Sequence, residues 1–294
     1  MQAITEIELS GLETFSKGKV RTVYDLGDML LIVASDRISA FDFVLQTGIP
    51  DKGRVLTLLS SFWFKKLAPI VKHHMVSDDA ADFPEAARAY ENLLRDRAML
   101  VHRAERIDFE CIVRGFITGS AYREYEQSGT VAGERMPPGL KKGDRLERPV
   151  FTPSTKADDG HDRNITIAEM REIAGDRDTD DIMSKSLAIF EAAQAYSGER
   201  GIVLVDTKFE FGKRDGDIIL IDEVLTPDSS RFWLGAPEVS EPFPLDKQYI
   251  RDYLETSGWD KNPPPPVLPQ EIVTEARRRY VMLYTALTGD SKFE

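Results

Sequence analysis

The stretch LVDTKFEFG, residues 204–212, places Asp206, Lys208 and Glu210 at every second position. In an extended chain this spacing aims all three at one face, with Val205, Phe209 and Phe211 on the other. A half-exposed strand could show such charges to water. The same charges could equally line a site that handles anions. The next apolar run, DIILIDEV, adds Asp222. Opposed residues of an antiparallel pair share a face. A two-residue Asp215-Gly216 turn would set Glu210 and Asp222 on opposite faces. An odd-length loop, Asp215-Gly216-Asp217 with the glycine left-handed, would set them side by side. On that second register they are expected to be cross-strand neighbours sharing Mg²⁺, an ion usually held by one or two carboxylates plus phosphates.

Four further segments mix cations, hydroxyls and glycine. KGKVR (17–21) offers Lys17, Lys19 and Arg21 for phosphates, and Gly18 permits close backbone approach. SDRISAFD (35–42) sets Asp36, Arg37, Ser39 and Asp42 after a buried strand, although a capped turn explains those residues as well. RGFITGS (114–120) contributes Arg114, Gly119 and Ser120, and FTPSTK (151–156) contributes Thr155 and Lys156. In TPDSSRFW (226–233), Pro227 and Asp228 make a turn and Arg231 offers a fork for phosphate or carboxylate.

Local patterning along the chain supplies the scaffold for these groups. Residues 20–34 form a hairpin turning at Gly27-Asp28, and residues 53–68 and 84–97 form helices, the second with Pro84 in its first turn. Two strands lie within MLVHRAERIDFECIVRGFI. The polar, Gly/Pro-rich stretch 128–164 reads as a long functional or disordered loop. Thr166 and Glu169 form a capping-box pattern for a short helix closed by Gly175. In the following helix Met183, Leu187 and Phe190 make a core stripe. After a proline run at 263–266, read as a surface spacer, a last helix ends at Gly289. The irregular order of strands and helices indicates α+β.

Composition narrows the function. A chain of 294 residues with 41% hydrophobic content can bury a sizeable core. A net charge of −12 argues against nucleic acid as partner. No run approaches the ~18 apolar residues of a membrane span. The start, MQAITEIELSGLE, has early acids and no basic n-region, against a secretory leader. One cysteine, Cys111, excludes an internal disulfide and fits a reducing cytosol; its apolar surroundings indicate a buried structural thiol. The four histidines have no zinc-ligand spacing, and most read as surface or loop residues. There is no Walker pattern and no GxGxxG loop.

Taken in order, GKVRTVYDL, ASDRISAFD, IPDKGRVLT, ECIVRGFITGS, FTPSTK, LVDTKFEFG and DEVLTPDSSRFW resemble the SAICAR synthetase family over nearly the whole chain, in its longer form. LVDTKFEFG and SDRISAFD are the most specific segments. HDRN (161–164) departs from an expected HDEN-like run, so Asp162 and Arg163 receive no role. The resemblance implies an ATP- and Mg²⁺-dependent ligase that joins L-aspartate to carboxyaminoimidazole ribonucleotide through an acyl phosphate. It implies a kinase-like N-terminal sheet domain, residues 1–107, packed on a larger α+β domain, residues 108–294, with ATP in the cleft between them. It implies that Lys17, Gly18, Lys19 and Arg21 cover the ATP phosphates, Glu210 and Asp222 bind Mg²⁺, and Lys208 neutralises the transferred phosphoryl. Arg114, Ser120 and Arg231 would hold the ribonucleotide, with Asp228 orienting Arg231. Asp36, Ser39 and Asp42 would shape the aspartate pocket, and Lys156 would close the site. The expected partners are small molecules alone, in a cytoplasmic monomer with a dimer as the alternative.

Two other functions compete for the same chain. Another kinase-like phosphotransferase would use the same Mg-ATP geometry, but the chain has neither HRD nor DFG. An interaction module built on the proline run leaves the rest of the patterned chain without a purpose.

Overall fold

The computed structural model describes residues 2–156, 163–235 and 242–293. His161 and Asp162 therefore lie outside the described residues. The first strands are β1 (Glu13–Lys17), β2 (Arg21–Leu26) and β3 (Met29–Ala34). The β2–β3 hairpin closes at Gly27-Asp28 with Leu26 opposite Met29, as its sequence predicts. A two-residue pair, β4 (Ser39–Ala40) and β5 (Phe43–Val44), precedes α1 (Lys52–Leu67) and β6 (Met75–Ser77). The helix expected over 84–97 is two single turns, α2 (Glu85–Arg88) and α3 (Glu91–Leu94), interrupted at Ala89 and Tyr90. Then β7 (Ala98–His102) completes an antiparallel five-stranded sheet in the order β1-β2-β3-β7-β6.

The second half starts with β8 (Glu105–Arg106), β9 (Phe109–Phe116) and α4 (Gly119–Ser128), then the small pair β10 (Thr130–Val131) and β11 (Glu134–Arg135). The stretch read as a long loop instead contains β12 (Arg145–Thr155), eleven residues paired along β9, and the short β13 (Arg163–Asn164). Pro149 sits where the β12–β9 register shifts, and that irregularity accommodates its missing N–H. Thr166 caps α5 (Ile167–Ala174) through the full capping box with Glu169, and Gly175 ends it. After α6 (Asp176–Gly198) come β14 (Ile202–Arg214), β15 (Asp217–Ile221), β16 (Ser230–Leu234), β17 (Phe243–Pro244), α7 (Gln248–Thr256) and α8 (Gln270–Thr288). The larger sheet runs β13-β12-β9-β14-β16-β17, with β15 and β8 pairing the far end of β14.

One core joins the two sheets. Trp63 and Phe64 of α1, Phe109 of β9, Phe190 of α6, Phe209 and Phe211 of β14 and Tyr280 of α8 belong to one buried cluster. Phe209 and Phe211 face that core, which leaves the opposite face of β14 to its charged residues. No helix among the described residues is long and apolar enough to cross a membrane.

The start of α1 lies hard against the end of β3. A Cβ on Gly53 would meet the Ala34 carbonyl oxygen at 2.4 Å, and both partners are backbone. Gly53→Ala is expected to destabilise the fold by about 1–3 kcal/mol, read as a lower urea midpoint with an unchanged slope.

Candidate active site

The site grows from the β9–β14 pairing, which sets Arg114 opposite Asp206 and Ile112 opposite Lys208. Asp206, 5% exposed, accepts hydrogen bonds from Arg114 Nη1 at 3.3 Å, Thr118 Oγ1 at 3.1 Å and Arg231 Nη1. Arg114 also donates to Thr152 Oγ1 (3.0 Å) and Ser120 Oγ (3.1 Å). Gly119 adopts φ +55°, and a Cβ there would stand 3.0 Å from Arg231 Nη2. The left-handed backbone favours glycine, and an added Cβ would also press on that guanidinium.

Two residues along β14, the Lys208 amine donates to Glu110 Oε1 at 2.5 Å and to Glu210 Oε1 at 3.3 Å. Burial works against its charge, but Glu210, Glu110 and Asp222 hold the amine above its ordinary pKa. Lys156, at the end of β12, donates to Glu210 Oε2 at 2.6 Å. The alternating charges of LVDTKFEFG are therefore a largely buried network. The solvated-strand alternative fails.

The expected register between Glu210 and Asp222 fails too. Arg214 pairs with Asp217 around a two-residue Asp215-Gly216 turn, so Glu210 faces Ile221. Asp215 takes φ 52° and Gly216 φ 84°, the left-handed pair such a tight hairpin needs. Asp222 is not a ladder partner of Glu210. It follows the last residue of β15 and turns to φ 65°. Its carboxylate meets Arg21 Nη1 at 2.7 Å and receives a hydrogen bond from Arg21 Nη2 at 2.8 Å. Burial opposes the Asp222 carboxylate, yet Arg21, Lys208 and Lys156 keep it ionised below the usual range. The two carboxylates thus act on the same cations by a route other than cross-strand pairing.

A cavity of about 790 Å³ opens beside this network, lined in part by Lys19, Ser39, Asp42, Ser120, Lys208 and Arg231. A smaller one of about 280 Å³ reaches Arg114, Asp206, Asp228 and Lys247. Lys19 binds Asp42 at 2.6 Å across the mouth. Gly18 sits at the β1–β2 tip, its N–H donating to the Arg21 carbonyl at 2.8 Å and its carbonyl accepting from Arg37. Lys17 lines a separate recess with Ser35 and Arg37.

Two expected placements need correction. Asp36 does not line the large cavity. It is buried and accepts from the backbone of Ile4 and Gly53 and from Arg97, which ties the chain start and α1 to β3. Asp228 does not orient Arg231, because Asp206 does. Asp228 instead accepts from fully buried Lys52 at 2.7 Å and from the Tyr280 hydroxyl at 3.2 Å, with Lys247 3.7 Å away. Burial opposes its charge, but Lys247 and Lys52 bring its pKa down to about 2.

Three participants escaped the sequence reading. Glu110 lies four residues before Arg114 on one strand, so the period-two rule applied to LVDTKFEFG would have found it. Lys247 precedes α7, far from any recognised cluster. His74 reads as a surface residue but is buried at 3% exposure, its ring Nε2 3.1 Å from the Asp222 carbonyl. Cys111 is buried as expected, its thiol pushed up by burial and by Glu210 and Glu110.

Comparison with known proteins decides the family. The SAICAR synthetase family model matches residues 14–266. The chain belongs to the SAICAR synthetase family. The phosphoribosylaminoimidazole-succinocarboxamide synthase of Elusimicrobium minutum is 50% identical, over 92% of this chain and 94% of its own. That of Pelobacter propionicus is 46% identical over 98% of both. A solved SAICAR synthase from Saccharomyces cerevisiae, complexed with SAICAR, superposes with a TM-score of 0.87 at 41% identity, covering 99% of this chain and all of that one. A type-2 SAICAR synthetase in complex with ADP matches at TM-score 0.70 and 25% identity, over 94% and 97%. The α+β architecture with antiparallel sheets is that of these family structures.

The buried histidine carries a pH consequence. Burial pushes the His74 imidazole down to about 3, against an ordinary value of 6.5. Between these values the unfolded chain binds a proton that the folded chain does not, so stability falls as pH falls below 6.5. The loss from this group is about 2 kcal/mol at pH 5. Stability measured by urea from pH 7 to 5 should show a shallower acid decline for His74→Gln than for the parent protein; equal slopes would refute this.

Proposed function

We propose that the network around Lys208 ligates L-aspartate to carboxyaminoimidazole ribonucleotide at the expense of ATP, giving SAICAR, ADP and phosphate for purine biosynthesis. Family membership supports the reaction. The observation that carries the site is Lys208 held between Glu110 and Glu210 beside two cation-lined cavities. The five-stranded sheet is the N-terminal, kinase-like unit (residues 1–107) and the larger sheet belongs to the second (residues 108–294). ATP lies in the cleft between them. The enzyme works in the cytoplasm as a monomer on small molecules alone.

A carboxylate is a poor acylating agent, so ATP must first convert it to an acyl phosphate. The terminal phosphoryl moves to the ribonucleotide carboxylate and ADP leaves. The aspartate amine then attacks the acyl carbon, and phosphate departs. The chain's part is positioning and neutralising charge. Lys17, Gly18, Lys19 and Arg21 cover the ATP phosphates. Lys208 faces the transferred phosphoryl, already charged and fixed by its two glutamates. Arg114, Ser120 and Arg231 hold the ribonucleotide phosphate; the two guanidiniums share one carboxylate, Asp206, and so retain positive charge for it. Ser39 and Asp42 border the aspartate end, and Lys156 closes over Glu210.

Carboxylate oxygens are the protein donors that Mg²⁺ takes. Glu110, Glu210, Asp222 and Glu223 set four carboxylates against the three cations Arg21, Lys156 and Lys208. Among the described residues no group of three or more His, Cys, Asp or Glu is arranged to hold a metal by itself. Glu210 and Asp222 would supply two hard oxygen ligands and leave the rest to phosphates and water, which is how Mg²⁺ is usually bound. Once bound, the ion would offset charge developing on the phosphoryl oxygens.

A coupled assay of ADP release, omitting each substrate in turn, tests the reading. Release should require ATP, Mg²⁺, ribonucleotide and aspartate together; full-rate turnover without the ribonucleotide would refute the ligase, and stable phosphorylation without aspartate would favour a kinase-like phosphotransferase. Arg231→Ala removes a charge-assisted contact of about 1.5–3 kcal/mol. It should raise the ribonucleotide KM roughly 10- to 150-fold and leave the ATP KM near its parent value. Glu210→Gln should collapse turnover with a smaller effect on nucleotide affinity.

A further inference from the structure

Asp222 takes a left-handed backbone, φ 65°, immediately after β15, a conformation that aspartate visits more readily than most residues but still at some cost. Such a residue persists when its surroundings over-determine it. The segment 72–74 does this from the side of the five-stranded sheet. Leu220 N–H donates to the Lys72 carbonyl at 2.9 Å, and His74 N–H donates to the Leu220 carbonyl at 3.0 Å. The His74 carbonyl in turn accepts from His102 N–H at 2.7 Å, which anchors it to β7. Beyond this rung the His74 ring reaches the Asp222 carbonyl at 3.1 Å. A carbonyl only accepts, so Nε2 carries the hydrogen and donates it. The ring packs against Phe64 of α1, 5.3 Å between centroids, which fixes its plane.

We propose that His74 is a positioning residue for the reaction: by capturing the Asp222 carbonyl it holds the left-handed turn that aims the Asp222 carboxylate into the site. Arg21 holds the carboxylate end of the same residue, so both ends of Asp222 are fixed from the five-stranded sheet. β15 fixes its chain entry from the larger one. Neither catalysis nor ligand contact is assigned to the imidazole. The proposal rests on the reading that Asp222 faces the nucleotide phosphates.

Three variants of the full-length enzyme separate the possibilities. His74→Phe keeps a ring and loses the donor. His74→Asn keeps polarity, but its amide stops short of the Nε2 position. His74→Gln can place an amide N–H close to that position. Loss of a hydrogen bond that orients a metal-site ligand typically costs about 10- to 100-fold. His74→Phe and His74→Asn should therefore lower kcat by about that factor, with the ribonucleotide KM unchanged, since Arg114 and Arg231 lie elsewhere. His74→Gln should restore most of the turnover. A crystal structure of His74→Asn should show Asp222 out of its left-handed conformation, a readout independent of activity. Parent-like kcat in folded His74→Phe and His74→Asn, or a lowered melting temperature as the only change, would overturn the proposal, as would failure of His74→Gln to differ from His74→Asn. Asp222→Asn is the companion control. If it kept full turnover, the reading of Asp222 itself would fall and the proposal with it; if it collapsed while the His74 variants stayed normal, the proposal alone would fail.

Discussion

The antiparallel register between β9 and β14 decides where the charges of the site can stand. It places an arginine across from an aspartate and seats Lys208 opposite an isoleucine, with Glu110 from the neighbouring strand within reach. A sheet tolerates charges on a covered face only if nearly every one is paired, because an unpaired buried ion costs several kcal/mol. Here Asp206 serves Arg114 and Arg231, and Lys208 serves Glu110 and Glu210. A slip of one residue would send the charged residues of β14 into the aromatic core and bring Phe209 and Phe211 to the cavity. Fold and site are therefore specified by the same alternation.

That shared origin explains what was legible. The β2–β3 hairpin, α1, the Thr166 capping box and the Gly289 end of α8 rest on local chemistry, and each stands close to its expected place. β12 was hidden because its prolines and polar residues resemble a loop, whereas its stability comes from pairing with β9, about forty positions away. Asp36 reads as shaping an aspartate pocket and Asp228 as orienting Arg231, because aspartate beside a turn resembles a site. Both instead neutralise buried partners, Arg97 for the first and Lys52 for the second. Local sequence does not distinguish a carboxylate that meets a ligand from one that balances a buried cation. The distant cation decides.

Asp222 shows how a local pairing rule can fail while two carboxylates still act on shared cations. Pairing arithmetic turned on the length of the hairpin loop, and the two-residue turn rules out the aligned register. The chain reaches a related electrostatic result by leaving the ladder after Ile221 and reversing φ at one residue. Strained backbone is characteristic of residues whose direction matters more than their local energy. Contacts from outside the strand, His74 to the carbonyl and Arg21 to the carboxylate, make that conformation durable.

The charge distribution sets the field that an anionic ligand meets. A protein of net charge −12 presents anionic ligands with a repulsive field at long range. Screening confines that field to about 8 Å at physiological ionic strength. Inside the cavities the balance reverses: Arg231 and Lys208 face the opening, each already fixed by carboxylates and needing little rearrangement to meet a phosphate. With the roles proposed for Arg231 and Lys208, discrimination would rest on short-range, preorganised pairs rather than on steering. The carboxylates that fix the cations also moderate their charge, so a ligand must match the geometry as well as the sign to displace or extend those contacts. That requirement suits an enzyme that must assemble three negatively charged substrates in one place.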